Sequence, residues 1–162
     1  MVKVICVSGS VGCGKTTISK ELAKKINYQY LSLNELIKEK KLEGKHLKKF
    51  DSYEVDIKKL NKVVEKIIKN SKKNLVIDGH MSHYLDKKYV DLCVVCKCDL
   101  IELKRRLEER KYNKDKIREN LDSEIFDVCL VEAFENKHKV LVVQTDENSV
   151  NESIKIICKE IK

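Results

Sequence analysis

The chain contains no proline and only five glycines in 162 residues. With so little of either there is no low-complexity segment, no obvious internal repeat, and no linker that would divide the chain. One domain of this length can bury a real core. Long apolar runs are also missing, and none approaches the ~20 residues that a bilayer-spanning helix needs. The start of the chain holds the apolar run Val2 to Val7 but no long h-region and no small-residue cleavage site, so no secretory signal and no membrane association are expected. A disulfide framework is not expected either. The seven cysteines are scattered, odd in number and set within strand- and helix-like segments, which points to a reducing, cytoplasmic setting.

Charge is abundant. Lysine and arginine number 34 against 26 acidic residues, a formal net charge of +8 spread along the whole chain. A solvated Lys/Glu surface is the plainer reading. A polyanionic partner such as RNA is compatible with the same balance, and nucleotides are themselves anionic.

Apolar runs suggest strands near 2–8, 28–31, 74–78, 91–96 and 139–143. Helical patterns fall near 15–26, 32–41, 56–70, 99–111, 114–136 and 150–161. Strands alternating with helices predict a three-layer α/β domain, a five-stranded parallel sheet with helices on both faces and ligands at the carboxyl ends of the strands. Asp99 and Glu102 are spaced as a capping box. The stretch 41–55, with Gly44, is the least regular and is expected to be a mobile insertion.

Gly9-Ser10-Val11-Gly12-Cys13-Gly14-Lys15-Thr16 matches the phosphate-loop pattern G-x-x-x-x-G-K-[ST], between an apolar strand and a helical segment. Gly12 and Gly14 would let backbone N–H groups turn inward around phosphate oxygens. The Lys15 ammonium can reach the β- and γ-phosphates, the Thr16 hydroxyl can ligate Mg²⁺, and Thr17, on the first turn of the helix whose dipole favours the anion, is expected to join in binding the nucleotide. Bound ATP with Mg²⁺ is therefore expected.

Leu75-Val76-Ile77-Asp78 is an apolar strand ending in a carboxylate. In a fold with a phosphate loop, such an Asp78 holds a water of the Mg²⁺ shell. The plainer alternative is a cap on the following turn. His80 and His83 follow on one loop without a carboxylate or cysteine set to complete a metal site. His80 could position water or an acceptor oxygen near the phosphates, and it could equally be a loop histidine bonded to backbone. Cys93, Cys96 and Cys98 lie in an apolar run, where period two sends Cys96 and Cys98 to one face and Cys93 to the other, as buried small hydrophobes. In the basic stretch 104–114, Arg106 and Arg110 are spaced i, i+4. At least one of them is expected to stabilise a transferring phosphoryl group, while a Glu–Arg-paired exposed helix is the alternative.

With these pieces placed, the chain resembles the adenylate kinase isoenzyme 6 (Fap7-type) family of nucleotide kinases. The resemblance is carried by Asp78-Gly79-His80, by Arg110-Lys111-Tyr112-Asn113, where Lys111 stands in place of a usual glycine, and by Glu119-Asn120, Glu124-Ile125-Phe126 and Glu132-Ala133. It implies an adenylate-kinase-like fold with an AMP-binding arm over about 32–55 and a short lid over about 109–119. Within the arm it implies a phosphate-binding role for Lys38, with Asn34-Glu35-Leu36 where Gly-Asp-Leu is usual. It also implies that 144–148 borders adenine. Lys15, Asp78, His80 and Arg110 would be catalytic. The implied activity is phosphoryl transfer from ATP to AMP, with ATP hydrolysis. The implied partners are a small-subunit ribosomal protein and the pre-ribosome, linking the family to ribosome biogenesis and rRNA processing.

Overall fold

The computed structural model describes residues 1–161. Strand β1 (Val4–Gly9) is buried at every position, the pattern of a strand covered on both faces. It is the centre of a five-stranded sheet in the order β2-β5-β1-β6-β7, comprising β2 (Gln29–Ser32), β5 (Leu75–Asp78), β6 (Leu92–Lys97) and β7 (Val140–Gln144). Every pairing in this sheet is parallel.

Period two sorts the strand side chains into two cores. Val4, Cys6, Ile77, Cys93 and Val95 face one layer, covered by α2 (Leu33–Glu39), α3 (Ile57–Asn70) and α6 (Val128–Glu135). Ile5, Val7, Val76, Val94 and Cys96 face the other, covered by α1 (Lys15–Ile26), α4 (Leu100–Glu109), α5 (Lys114–Ile125) and α7 (Val150–Ile161). Cys93 thus packs in one core and Cys96 with Cys98 in the other, as period two predicts.

Helix α3 shows how the sequence writes its own boundaries. Leu60, Val64 and Ile68 recur every fourth residue on the buried face, and the Asp56 carboxylate accepts a hydrogen bond from the Lys59 amide at 3.2 Å as N-cap. Asn113 caps α5 in the same way, accepting from the Lys116 amide at 2.7 Å.

Three expectations need correction. The helical pattern over 114–136 is two helices, broken at Phe126–Asp127 where Asp127 adopts a left-handed backbone, φ 50°. The reason is layering: Ile117 and Leu121 of α5 pack on one face of the sheet, while Cys129 and Ala133 of α6 pack on the other. A straight helix could not serve both. The stretch 41–55 forms an antiparallel hairpin, β3 (Glu43–Leu47) and β4 (Ser52–Val55), joined through a 3₁₀ turn at Lys48–Phe50. Its strands are largely exposed, so no apolar alternation announces them. Gly44 lets the strands approach closely there, since a Cβ would lie 3.1 Å from the Glu54 carbonyl oxygen. Finally, Asp99 caps α4 through the Ile101 amide at 3.1 Å, but Glu102 turns to Arg105 and Arg106 instead of completing a box.

Candidate active site

The strands deliver their carboxyl ends to one edge. Gly9 ends β1, Asp78 ends β5, Lys97 ends β6 and Gln144 ends β7. The chain leaves β1 towards β5 and β2 on one side and returns to β6 and β7 on the other, so a crevice opens above β1. The glycine-rich loop fills its floor. Gly12 and Gly14 hold φ of 91° and 86°, a region that glycine enters without strain. Gly14 is the N-cap of α1 and has no side chain to cap it, and the first turn carries no acidic residue. The first N–H groups of α1 are therefore left for an anion.

Lys15 opens α1, and its ammonium donates to the Ser10 carbonyl at 3.0 Å. Beside it the Thr16 hydroxyl donates to Asp78 Oδ2 at 2.9 Å. That direction leaves the Thr16 oxygen lone pairs open, and Asp78 is buried. An all-oxygen donor pair at hydrogen-bond distance suits a hard cation such as Mg²⁺, held with triphosphate oxygens and water. The two residues singled out for the metal are thus brought together, on α1 and β5 respectively.

Arg106 of α4 reaches the loop itself. Its Nη1 donates to the Gly12 carbonyl and to Thr145 Oγ1, both at 3.3 Å, while Nε donates to Glu102. Thr145 in turn donates to the Cys13 carbonyl at 2.7 Å. Arg110, one turn later, lines a cavity of about 400 Å³ with Gly14, Thr17, Ile18, Asn148 and Val150. The segment 144–148 thus reaches the same cleft as the glycine-rich loop, through Thr145 and Asn148. Lys38 lies exposed on the last turn of α2.

The two loop histidines part company. His83 is fully buried, with Nδ1 2.7 Å from Ser8 Oγ and Nε2 2.6 Å from Glu132 Oε2. A neutral ring with its proton on Nε2 satisfies both contacts, donating to Glu132 and accepting from Ser8. Burial lowers its pKa, opposed by the Glu132 hydrogen bond and charge. For His80, burial together with the charge of the Lys15 ammonium lowers the pKa to about 4, keeping the imidazole uncharged at neutral pH.

Beneath the loop is a charged cluster that spacing did not reveal. The Lys97 ammonium bonds to both Glu124 and Asp127, and the Cys13 thiol donates to Glu124 Oε2 at 2.9 Å. Burial and the neighbouring Glu124 push the Cys13 thiol far up, so it stays protonated and inert. Tyr30 was also missed: its hydroxyl donates to Asp78 Oδ2 at 2.7 Å. The available signal was that Tyr30 stands two residues before the end of a strand.

The family described as AAA domain matches residues 5–127. A protein of Thermococcus gammatolerans described as "Putative adenylate kinase" is 40% identical over 163 residues, covering 98% of this chain and 88% of that one. One of Methanocaldococcus jannaschii, with the same description, is 36% identical, with 98% and 85% covered. Among solved structures, shikimate kinase from Acinetobacter baumannii superposes with a TM-score of 0.71 at 16% identity, over 99% of this chain and 93% of that one. Deoxyadenosine kinase from M. mycoides superposes at 0.61 and 17% identity, over 98% of both chains. At such identities the structural likeness speaks for the fold, a P-loop kinase fold.

Proposed function

This chain belongs to the AAA-domain family and has a P-loop kinase fold, and from that membership we propose that it is a nucleoside monophosphate kinase moving the ATP γ-phosphoryl to AMP. The observation that carries the reading is the uncapped, glycine-led start of α1, which opens with Lys15 and sets the Thr16 hydroxyl against the Asp78 carboxylate. The relatives described as "Putative adenylate kinase" support AMP as the acceptor.

In this reading the loop amides and Lys15 hold the donor phosphates, and Thr17 and Ile18 stand beside them in the cleft. Thr16 and Asp78 hold Mg²⁺, which when bound offsets phosphate charge. The bond from the γ-phosphorus to its bridging oxygen breaks as an oxygen of the AMP phosphate bonds to that phosphorus, giving two ADP. That acceptor oxygen is already anionic, so no strong general base is required. Charge spreads over the equatorial oxygens in such a transfer, and Arg110 with Arg106 supplies the matching cations. The segment 32–55 serves as the AMP arm, with Lys38 towards the acceptor phosphate, and 109–119 as the lid that excludes water.

The finer resemblance, to the adenylate kinase isoenzyme 6 (Fap7-type) group, carries a second reading: an ATP-hydrolysing assembly factor in small ribosomal subunit maturation, acting through a ribosomal protein. The uncharged His80, whose pKa the Lys15 charge helps to lower, favours it, since a neutral imidazole can orient an attacking water.

Nucleotide products from purified protein with Mg-ATP, separated by chromatography with and without AMP, test both readings. Lys15→Ala is the blank. Rapid ADP formation only with AMP, and AMP consumed, is the expected outcome. Slow release of ADP and phosphate indifferent to AMP would overturn the kinase reading and favour the assembly factor.

A further inference from the structure

Asp78 receives two hydrogen bonds on one oxygen. Thr16 Oγ1 donates to Oδ2 at 2.9 Å and Tyr30 Oη donates to the same Oδ2 at 2.7 Å. Among the described residues, no hydrogen bond falls on Oδ1. Thr16 belongs to the loop that the functional reading already uses. Tyr30 does not, and no motif assigns it a role.

Sheet register explains how the phenol arrives. In the parallel pairing of β2 with β5, Tyr30 stands opposite Val76 and Ser32 opposite Asp78. Tyr30 and Asp78 are therefore offset by two residues on the same face, about 6.6 Å along the strand. A tyrosine side chain laid along the sheet spans that offset and no shorter hydroxyl residue would. Lys20 of α1 lies 5.6 Å above the ring, on the face of the sheet where α1 packs. A phenol keeps its proton at neutral pH, so the hydroxyl is a donor there.

We propose that Tyr30 is a positioning residue for the metal-holding carboxylate. It fixes the Asp78 side-chain rotation so that Oδ2 is spent on two protein donors and Oδ1 is presented to the divalent cation's water shell. A carboxylate anchored only by Thr16 would swing about its terminal torsion, because that torsion is broad and two-fold. Tyr30 also sits on the strand that leads directly into α2, so the metal carboxylate is tied to the root of the proposed acceptor arm. The inference rests on Asp78 serving the metal.

The test is Tyr30→Phe, which keeps the ring and its place under Lys20. Mn²⁺ binding to the complex of protein with a non-hydrolysable ATP analogue is followed by the electron paramagnetic resonance of free Mn²⁺. Metal-free binding of the analogue is measured by calorimetry. The expected result is a Mn²⁺ affinity about tenfold weaker, the loss of a hydrogen bond to a charged group, with metal-free binding unchanged. Steady-state turnover should recover at high Mg²⁺. Asp78→Asn is measured in parallel. If Asp78→Asn loses Mn²⁺ affinity and Tyr30→Phe does not, the Tyr30 inference falls and the metal role of Asp78 stands. If neither variant moves it, the metal role falls as well. A lowered melting temperature with unchanged Mn²⁺ affinity would show Tyr30 to be packing alone. Tyr30→Leu gives the same readings should the phenyl ring be poorly accommodated.

Discussion

Lys111 adopts a left-handed backbone, φ 58°, in the turn between α4 and α5. An L-residue in this region carries about 1–2 kcal/mol of strain that glycine lacks. Lys111→Gly is expected to raise stability by about 0.5–1 kcal/mol after the greater unfolded-state freedom of glycine is subtracted, as read from urea unfolding. Gly9 shows the opposite limit. Its φ is 137°, and a Cβ would sit 2.4 Å from the Cys96 carbonyl oxygen, where neighbouring backbone cannot yield. Gly9→Ala should lower stability by roughly 3 kcal/mol in the same assay. Lys15→Ala separates function from folding. Among the described residues its ammonium makes a single hydrogen bond, to Ser10. Turnover should fall by at least about two orders of magnitude while the melting temperature stays near that of the parent, and retained turnover in a folded variant would overturn the site.

Among the elements, the link between the phosphate loop and α5 is the least obvious from the sequence. Lys97 ends β6, Glu124 lies in the last turn of α5, Asp127 starts the turn to α6, and Cys13 lies within the loop. Together they tie the segment that follows the proposed lid to the floor of the crevice. Removing Lys97 leaves Glu124, almost fully buried, as an uncompensated charge. Lys97→Met is therefore expected to cost about 3 kcal/mol, and Lys97→Met with Glu124→Gln to cost less than Lys97→Met alone. Equal losses in denaturant titrations of the two would show that the ion pair is not what stabilises this corner. None of this could be anticipated from periodicity, because Cys13 and Glu124 are 111 positions apart. The break between α5 and α6 was hidden for a related reason. It carries neither proline nor glycine, and it exists because the two halves pack on opposite faces of the sheet.

For the whole molecule, the two loop histidines predict how stability depends on pH. His80 has its pKa lowered to about 4 and His83 is lowered as well, both chiefly by burial. Around them stand Lys15, which opposes protonation of His80, and Glu132, which favours it. Between pH 6.5 and 4 the unfolded chain binds protons that the folded chain refuses, so folding weakens as pH falls through that window. Above it the contribution is fully present. For His80 alone the loss by pH 4 is about 3 kcal/mol. Urea unfolding across this range should show the slope, and His80→Asn should flatten it. An unchanged slope in His80→Asn would mean that the ring is solvated.

What the sequence alone determined was local. Residues next to one another announced the phosphate loop between strand and helix, the carboxylate at the end of an apolar strand, and the alternation that makes a parallel sheet. Each of these is an interaction of the chain with itself over a few positions or with a periodic environment. Only the tertiary structure decided which distant side chains meet. It brought Tyr30 and Thr16 onto one oxygen of Asp78, and sent His83 into the core with Ser8 and Glu132. Those choices depend on strand order, on parallel register and on which face each helix covers, and a single sequence does not encode them at fixed spacing.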